Sequence, residues 1–214
     1  MSTTRYDAVL FDLLSGLIDS WSLWNDVAGG ETAGREWRRE YLRLTYDAGS
    51  YRSYEAIIGE AARASPVPDD AAERLIDRWD ELTAWPEVPR VLAELREEAA
   101  LGVVTNCSTR LGQQAADAVG VEFNVVSTAE RAGWYKPNPE PYELALTELG
   151  VPADRTLFVS GSGRDIPGAT DVGMAAVWHN RIGLSRPNGV PSVPTFDTLN
   201  PLPAYVRDEG ESGM

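Results

Sequence analysis

The chain has few residues of several kinds. Its 214 residues include one cysteine and one histidine, and 33 acidic side chains outnumber 19 basic ones. A single cysteine excludes an internal disulfide framework and favours a reducing cytoplasm. With a net charge of −14, the surface repels the phosphates of nucleic acids and anionic lipids, so we expect neither nucleic-acid nor membrane partners. An anionic substrate would therefore need a local basic pocket.

Long apolar segments are also missing. No run of about 18 apolar residues occurs, and residues 1–30 lack a basic stretch followed by an apolar one. We therefore expect neither a membrane span nor a signal peptide. The hydrophobic composition of 43% is nevertheless enough for a substantial core. The polar, Gly-rich residues 208–214 are expected to fray.

The sequence divides into two regions with different hydrophobic patterns. Residues 17–84 carry helical periodicity only, with helices predicted at 17–25, 34–48, 53–63 and 71–85. Elsewhere strands alternate with helices, which is typical of an α/β fold with a doubly wound parallel sheet. Strands are predicted at 8–11, 101–105, 124–127, 156–160 and 174–179, and helices at 88–99, 108–119, 138–149 (capped by Asn138) and 165–172. We predict a Rossmann-like core domain from 1–16 and 85–214, and a helical cap domain from 17–84 that closes a pocket over the sheet.

The first predicted strand stops at a carboxylate, Asp12. Ligands of open α/β sheets bind beyond the carboxyl ends of the strands, so Asp12 is a candidate nucleophile. Other predicted strands also end in polar residues, namely Thr105, Asn106 and Ser108, then Lys136, then Ser160, Ser162 and Asp165. Since parallel strands share their carboxyl edge, these residues are expected to converge on one site.

Four motifs in this order resemble the haloacid dehalogenase (HAD) superfamily of hydrolases over nearly the whole chain. They are Phe-Asp12-Leu-Leu-Ser-Gly-Leu-Ile-Asp19-Ser, Val-Thr105-Asn106-Cys-Ser, Tyr-Lys136-Pro-Asn-Pro-Glu-Pro-Tyr142 and Phe-Val-Ser160-Gly-Ser162-Gly-Arg-Asp165. A helical cap inserted after the first motif is also a feature of that superfamily. The resemblance implies a Rossmann-like hydrolase whose nucleophile is Asp12.

Most members of the superfamily are magnesium-dependent phosphatases with an Asp-x-Asp first motif, whose second acid protonates the leaving oxygen. Leu14 stands at that second position here and carries no proton. Gly161 stands where the fourth motif usually offers an acid, which leaves Asp12 and Asp165 as the metal ligands of a phosphatase. The phosphatase pattern is therefore incomplete.

The (S)-2-haloacid dehalogenase branch needs neither missing acid, because a halide leaves without protonation and carbon is a neutral centre. The pair Trp37-Arg38 and the stretch from Trp178 to Gly183 resemble that branch. The chain departs from it in the first motif, where Asp12-Leu13-Leu14-Ser15-Gly16 replaces the usual Asp-x-Tyr-Gly-Thr, so that Leu14 stands in place of the tyrosine. Ser162 also replaces an asparagine, Arg164 replaces an aromatic residue, and Arg39 stands where an uncharged polar residue is common.

The resemblance implies hydrolysis of short 2-haloalkanoic acids through an ester on Asp12, without a cofactor. Lys136 would keep Asp12 ionised, and Asp165 would orient Lys136 or activate the hydrolytic water. Ser160 would help to position that water, and Arg38 would draw off the halide. The residues expected to contact the substrate are Leu14, Arg39, Leu42, Thr105, Asn106, Ser108, Tyr142, Ser162 and Arg164.

Two other function classes stay open. One is a phosphatase with a degenerate magnesium site, since the basic residues Arg38, Arg39, Lys136 and Arg164 would also suit a phosphate dianion. The other is a HAD-like protein that has lost its catalysis and serves as a binding module. Arg39 is equally compatible with a solvated helix face. The apolar, Trp-rich cap would permit a homodimer.

Two further side chains invite chemistry but are expected to be structural. His179, the only histidine, ends a late predicted strand, where a structural role is favoured over a Ser–His–Asp arrangement. Cys107 adjoins Asn106 and is expected to be a small buried residue.

Overall fold

The computed structural model describes residues 4–207, so the predicted fraying of residues 208–214 lies outside it. In the described chain, six strands form one sheet in the order β3-β2-β1-β4-β5-β6, with every neighbouring pair parallel. The strands are β1 (Ala8–Asp12), β2 (Ala100–Thr105), β3 (Val125–Thr128), β4 (Thr156–Ser160), β5 (Ala175–His179) and β6 (Thr195–Phe196). The predicted α/β fold with a doubly wound parallel sheet is confirmed.

Four helices lie between β1 and the first helix that packs on the sheet. The helices are α1 (Ser20–Val27), α2 (Glu31–Ala48), α3 (Tyr54–Arg63), α4 (Ala71–Asp77), α5 (Val88–Arg96), α6 (Thr109–Ala118), α7 (Ala129–Ala132), α8 (Glu140–Leu149), α9 (Ile166–Asp171) and α10 (Leu202–Val206). We call α1–α4 and their connecting loops the helical insertion. An antiparallel bridge between Ile18 and Ala84 joins its two ends. This bridge lies at the predicted boundaries, although the division into cap and core domains remains a prediction.

The helix predicted at 71–85 is too long. It ends at Asp77, a 3-10 turn follows at Trp79–Glu81, and Leu82 is already extended. The reason is tertiary pairing, because the backbone N–H of Trp85 donates to the Leu17 carbonyl at 2.9 Å. The amphipathic pattern alone does not reveal that this segment must return to the sheet.

Smaller elements also differ from the prediction. The residue that caps α8 is Pro139 rather than Asn138, whose side-chain amide donates to the Tyr135 carbonyl at 2.8 Å. The short elements α7, β6 and α10 were not predicted, since segments of two to five residues carry little periodicity. Within residues 4–207, no helix is long and apolar enough to cross a membrane.

Strand β1 is the centre of the core. All five of its residues are buried, as expected of a parallel strand covered on both faces. Its side chains alternate between the two layers, with Val9 and Phe11 in the larger hydrophobic cluster and Leu10 in a second cluster. Because both faces of β1 are packed, the position of Asp12 at its end is tightly fixed.

The helical insertion has an aromatic core of its own. The ring of Trp24 lies 4.5 Å from that of Trp37 and 5.4 Å from that of Tyr41, measured between centroids. Tyr54 continues the series, 5.7 Å from Tyr41 and 6.1 Å from Trp79. Such pairs favour fixed ring geometries, so the insertion presents its inner face rigidly to the sheet.

Trp79 connects the insertion to the rest of the chain. Trp79 is only 1% exposed, and its Nε1–H donates to the Leu111 carbonyl in α6 at 2.9 Å.

We expect Trp79→Phe to lower the free energy of unfolding by about 1–3 kcal/mol, because the buried Leu111 carbonyl loses the indole donor. Urea denaturation followed by circular dichroism measures this. The control Trp134→Phe changes an exposed ring and should stay within about 0.5 kcal/mol. Equal effects of the two variants would contradict the role of Trp79.

Candidate active site

Lys136 lies between two carboxylates at the carboxyl edge of the sheet. Its Nζ donates to Asp12 Oδ1 and to Asp165 Oδ2, each at 2.7 Å. The side chains of Lys136, Asp12 and Asp165 are only 2%, 10% and 5% exposed. Lys136 is also the only lysine in the chain, since all 18 other basic residues in the count of 19 are arginine. The buried triad of one cation and two anions carries a net negative charge.

The topology brings this triad together. Asp12 ends β1, and the chain continues to β2 on one side of β1 and later returns to β4 on the other. The crevice at such a reversal of strand order is the usual ligand site of an open α/β sheet. Asp165 arrives from a 3-10 turn that follows β4. The residues predicted from strand ends to converge therefore do meet at one edge.

Asn106 fixes the loop that carries Lys136. The backbone N–H of Lys136 donates to Asn106 Oδ1 at 2.7 Å, and Asn106 Nδ2 donates back to the Lys136 carbonyl at 3.4 Å. This reciprocal pair uses both ends of the amide. Asn106 lines the site, and its observed contacts position Lys136.

The two carboxylates differ in acidity. Burial by itself would raise the pKa of Asp12, but the charge and hydrogen bond of Lys136, together with the hydrogen bond of Ser15, hold that pKa below its ordinary value. Burial also raises the pKa of Asp165, and there the like charge of Asp12 adds to it, so the pKa of Asp165 lies above its ordinary value. Environments that separate two carboxylates in this way are typical of sites where each has its own task.

Ser15 holds the second oxygen of Asp12. Its hydroxyl donates to Asp12 Oδ2 at 2.7 Å, and its backbone N–H donates to the same oxygen at 3.3 Å. The turn is tight, since a Cβ at Gly16 would lie 2.2 Å from the Asp12 carbonyl oxygen. Sequence reasoning missed Ser15. A serine three residues after a strand-ending aspartate is an Asx-type turn signal that would have pointed to it.

A small cavity of about 40 Å³ opens onto Asp12. It is lined by Asp12, Leu14, Ser15, Arg38, Tyr41, Leu42, Thr105, Asn106, Lys136, Ser162 and Asp165. We call it the inner cavity. A single water needs about 10–15 Å³ on this measure, so the inner cavity accepts the reacting end of a small molecule and little more.

Nine of the predicted site residues thus line the inner cavity, and Tyr41 is a lining residue that was not predicted. The spacing of Arg38, Tyr41 and Leu42 in α2 is i, i+3, i+4, which places all three on one helix face. That spacing could have identified Tyr41. The sequence analysis instead treated Tyr41 only as part of the apolar face of α2.

Two predicted residues support Asp165 from outside the cavity lining. The Tyr142 hydroxyl donates to the Asp165 carbonyl at 3.0 Å, and its ring packs edge-on against Phe158. The Ser160 hydroxyl donates to the Ser162 carbonyl at 2.5 Å. Both hydroxyls are therefore engaged in fixing the loop after β4, and their contacts with water or substrate remain predictions.

Ser108 also lies outside the lining. It caps α6 by accepting from the Leu111 N–H at 3.4 Å, and it donates to Glu55 of the helical insertion at 2.8 Å. The predicted substrate contacts Arg39 and Arg164 line a second, outer cavity instead. These three residues therefore do not line the inner cavity at Asp12, and their contact with the substrate remains a prediction.

Arg38 is a buried cation that faces the inner cavity. It is 6% exposed, and its guanidinium lies 4.1 Å from the ring centroid of Trp21. One of its N–H groups donates to Ser20 Oγ at 2.9 Å, and Ser20 in turn donates to the Leu14 carbonyl. A guanidinium has five donors, and within residues 4–207 no carboxylate pairs with this one. Arg38 can therefore receive an anion.

The donor set at Asp12 does not suit a divalent cation. Among the residues the structure describes, no group of three or more His, Cys, Asp or Glu side chains is placed to hold a metal. A Cβ at Gly161 would lie 2.3 Å from the Gly16 nitrogen and 2.4 Å from the Ser15 carbonyl carbon, so an acid at this position has no room. Asp12 and Asp165 are the only carboxylates of the lining, and both are bonded to Lys136. A metal ion at this position would therefore compete with the Lys136 ammonium for both carboxylates.

The remaining two candidates have structural surroundings. The Nδ1 of His179 lies 2.7 Å from the Gly16 carbonyl, and burial lowers the pKa of His179. Cys107 is fully buried, which raises the pKa of its thiol to about 12. The thiolate is the reactive form, so Cys107 is inert at neutral pH.

Replacing Lys136 by methionine tests how the triad is balanced. We expect Lys136→Met to raise the pKa of Asp12 above the ordinary carboxyl value, because burial is then uncompensated; carboxyl ¹³C shifts measured against pH report this directly. The free energy of unfolding at pH 7 should fall by about 3–5 kcal/mol. The difference in the free energy of unfolding between wild type and variant should become smaller as the pH falls. Protonation of Asp12 stabilises the folded variant, because the pKa of Asp12 is then higher in the folded than in the unfolded protein.

The matched control is Arg155→Met, which removes a surface ion pair of 2.7 Å to Asp7. Its effect on stability should be much smaller, since exposed ion pairs contribute little. A Lys136→Met variant with wild-type stability and an unchanged pKa of Asp12 would contradict the electrostatic role of Lys136.

Comparison with known proteins agrees with this geometry. A family model described as haloacid dehalogenase-like hydrolase matches residues 6–173. A haloacetate dehalogenase of Moraxella sp. (strain B) is 28% identical, covering 94% of this chain and 93% of that protein. The crystal structure of an L-2-haloacid dehalogenase has a TM-score of 0.84 and 27% identity, covering 95% of this chain and 100% of that one. An N-acetylmuramic acid 6-phosphate phosphatase of Pseudomonas aeruginosa is 27% identical over 97% of this chain and 96% of its own length.

The family match spans most of the chain, and three of the four motifs that predicted it supply the buried triad. This chain belongs to the haloacid dehalogenase-like hydrolases.

Proposed function

We propose that the protein hydrolyses short 2-haloalkanoic acids to 2-hydroxy acids through an ester on Asp12, without a metal. The observation that carries the proposal is the 2.7 Å contact of Lys136 with Asp12, which keeps a buried carboxylate ionised beside a small cavity. The similarity to dehalogenases supports the same reaction.

In the first step, Asp12 attacks C2 of the substrate. A C–O bond forms, the C–halogen bond breaks, and its electron pair leaves with the halide. A depressed pKa makes Asp12 available as the anion at neutral pH. Arg38, which makes no salt bridge within residues 4–207, receives the halide, and Tyr41 lines the same space.

The second step hydrolyses the ester. Water adds to the Asp12 carbonyl carbon while Asp165 accepts one of its protons, since its raised pKa suits a general base. The bond from that carbon to the substrate oxygen then breaks, the departing oxygen takes the proton from Asp165, and the regenerated Asp12 carboxyl group releases the remaining proton. The ammonium of Lys136 and the hydroxyl of Ser15, which contact the Asp12 oxygens, stabilise the negative charge that develops there. The products are the 2-hydroxy acid and a proton, and Asp12 is restored.

The substrate carboxylate needs a donor that is not already engaged. Thr105 donates to the Cys107 sulfur at 3.2 Å, and the Asn106 amide holds the Lys136 backbone. The Ser162 hydroxyl accepts from the Arg164 N–H at 3.3 Å and lies beside the Tyr46 hydroxyl. Since it lines the inner cavity and holds neither Cys107 nor the Lys136 backbone, we assign the carboxylate contact to Ser162 in preference to Thr105 and Asn106.

A phosphatase is the second candidate, favoured by the similarity to the Pseudomonas aeruginosa phosphatase. Its leaving alkoxide would need an acid at position 14, where Leu14 lines the cavity, and a metal would compete with Lys136 for Asp12 and Asp165. Both requirements argue for a leaving group that departs as a stable anion.

The cellular location and the partners of the protein are proposed from its composition. We propose a cytoplasmic protein that takes a small anionic substrate and binds neither nucleic acid nor membrane, on the basis of one cysteine and a net charge of −14. The roles of the helical insertion as a cap domain and of a homodimer are part of the same proposal.

Halide release decides between the candidate functions. With both enantiomers of 2-chloropropionate and with chloroacetate, we expect halide release that EDTA leaves unchanged, because the carbon centre needs no metal. Asp12→Asn should abolish it, whereas Asp77→Asn, an exposed change at the end of α4, should not. No halide from any of these acids, together with magnesium-dependent hydrolysis of phosphate esters, would establish the phosphatase instead. Inactivity in both assays would favour the binding module.

Asp165→Asn separates the two roles considered for Asp165. If Asp165 is the base of the second step, the ester forms but is hydrolysed about 10²–10⁴-fold more slowly. Intact-mass spectrometry after mixing with 2-chloropropionate should then detect an enzyme adduct on the peptide containing Asp12. If Asp165 only orients Lys136, alkylation slows and no adduct accumulates. Turnover at the wild-type rate would exclude both roles.

A further inference from the structure

A second cavity, of about 500 Å³, lies outside the inner one. Its basic lining residues are Arg35, Arg38, Arg39, Arg43 and Arg164, and its acidic ones are Glu40 and Asp47. We call it the outer cavity. In a chain with a net charge of −14, this local excess of positive charge is a concentrated anion-attracting surface.

The arginines of the outer cavity fall into two groups. Arg35 and Arg43 are neutralised by Glu31, Glu40 and Asp47 at 2.6–2.8 Å. In contrast, no carboxylate of residues 4–207 pairs with Arg38, Arg39 or Arg164. Arg164 only lies over the ring of Tyr46, at 5.5 Å from its centroid. Three guanidinium groups are thus left with open donors around one space.

The outer cavity adjoins the inner cavity. Arg38 and Leu42 line both cavities, so they form the boundary between them. Tyr46 lines the outer cavity, and its hydroxyl lies beside Ser162 and Asp165 of the inner lining. A molecule whose reacting carbon is at Asp12 would extend past Leu42 towards the unpaired arginines.

We propose that the outer cavity binds a second anionic group of the substrate, so that the preferred substrates are dianionic acids, bearing a second carboxylate or a phosphate at the far end. The inference rests on the proposed function for the reacting end. Arg39 and Arg164 bind the distal anion, since a guanidinium fork matches carboxylate and phosphate oxygens. A 2-halopropionate has no second anionic group, so it would leave both Arg39 and Arg164 without an anion to bind.

Substrate preference tests this directly. We compare 2-chloroglutarate with 2-chlorobutyrate, which lacks the second carboxylate, on wild type, Arg39→Gln, Arg164→Gln and the double variant. Wild type should favour the diacid by about tenfold or more in kcat/KM, and the double variant should lose at least about tenfold of that ratio, as expected for lost charged hydrogen bonds. The preference should also shrink in high salt. An equal ratio in wild type and double variant would overturn the proposal.

The charge control is Arg63→Gln, which removes an exposed arginine of α3 that does not line the outer cavity. The ratio should stay at the wild-type value in this variant. A loss as large as that of Arg39→Gln would show that net charge, rather than the outer cavity, determines the preference.

A binding experiment keeps this inference separate from the reaction. Calorimetry with Asp12→Asn uses the unreactive probes butyrate, glutarate and 3-phosphoglycerate. Tighter binding of glutarate or 3-phosphoglycerate than of butyrate, lost when Arg39→Gln and Arg164→Gln are added, supports the outer site even if no haloacid is dehalogenated. Whichever of glutarate and 3-phosphoglycerate binds more tightly identifies the second group as a carboxylate or a phosphate. Equal binding of all three probes overturns the outer site while leaving dehalogenation untouched.

Discussion

The bridge that Lys136 makes between Asp12 and Asp165 is the contact on which the rest of the site depends. Burying a carboxylate is unfavourable unless a cation compensates it, and here one ammonium serves two carboxylates at 2.7 Å each. The balance is unequal, because Ser15 gives Asp12 two more hydrogen bonds, whereas burial and the charge of Asp12 both raise the pKa of Asp165. This inequality gives one carboxylate a lowered pKa and the other a raised one, which suits a nucleophile and a base in the same small space.

The sheet and the helical insertion contribute different parts of the chemistry. The carboxyl edge of the sheet supplies Asp12, Lys136 and Asp165, held by backbone geometry and by Asn106. Helix α2 of the insertion supplies Arg38, Tyr41 and Leu42 from one face. The triad of ionised groups therefore comes from the sheet, while the insertion supplies the apolar wall and the cation to which we assign the halide. The aromatic series that includes Tyr41 fixes that wall in place.

Much of this arrangement was predictable because strand ends are local features. The apolar run before Asp12 and the polar residues after β2 and β4 identify the sheet edge without knowledge of tertiary contacts. What was missed depends on long-range geometry. Nothing local shows that the segment after Asp77 leaves its helix to pair with the chain near Ile18. Likewise, a hydroxyl such as that of Ser108 is predicted as a ligand until its partner, Glu55 of another element, is known.

The composition around the triad has a further consequence for the chemistry of the whole molecule. Lys136 is the only lysine, and its side chain is 2% exposed, so the folded protein offers amine-directed reagents no ε-amino group on its surface. Acylation of this amine requires the helical insertion to lift from the sheet edge or the loop after β3 to unfold locally. The rate of such labelling therefore measures how often the inner cavity opens to solvent. Lys136 Nζ, the atom that contacts Asp12, can therefore report local opening of the protein without an added label.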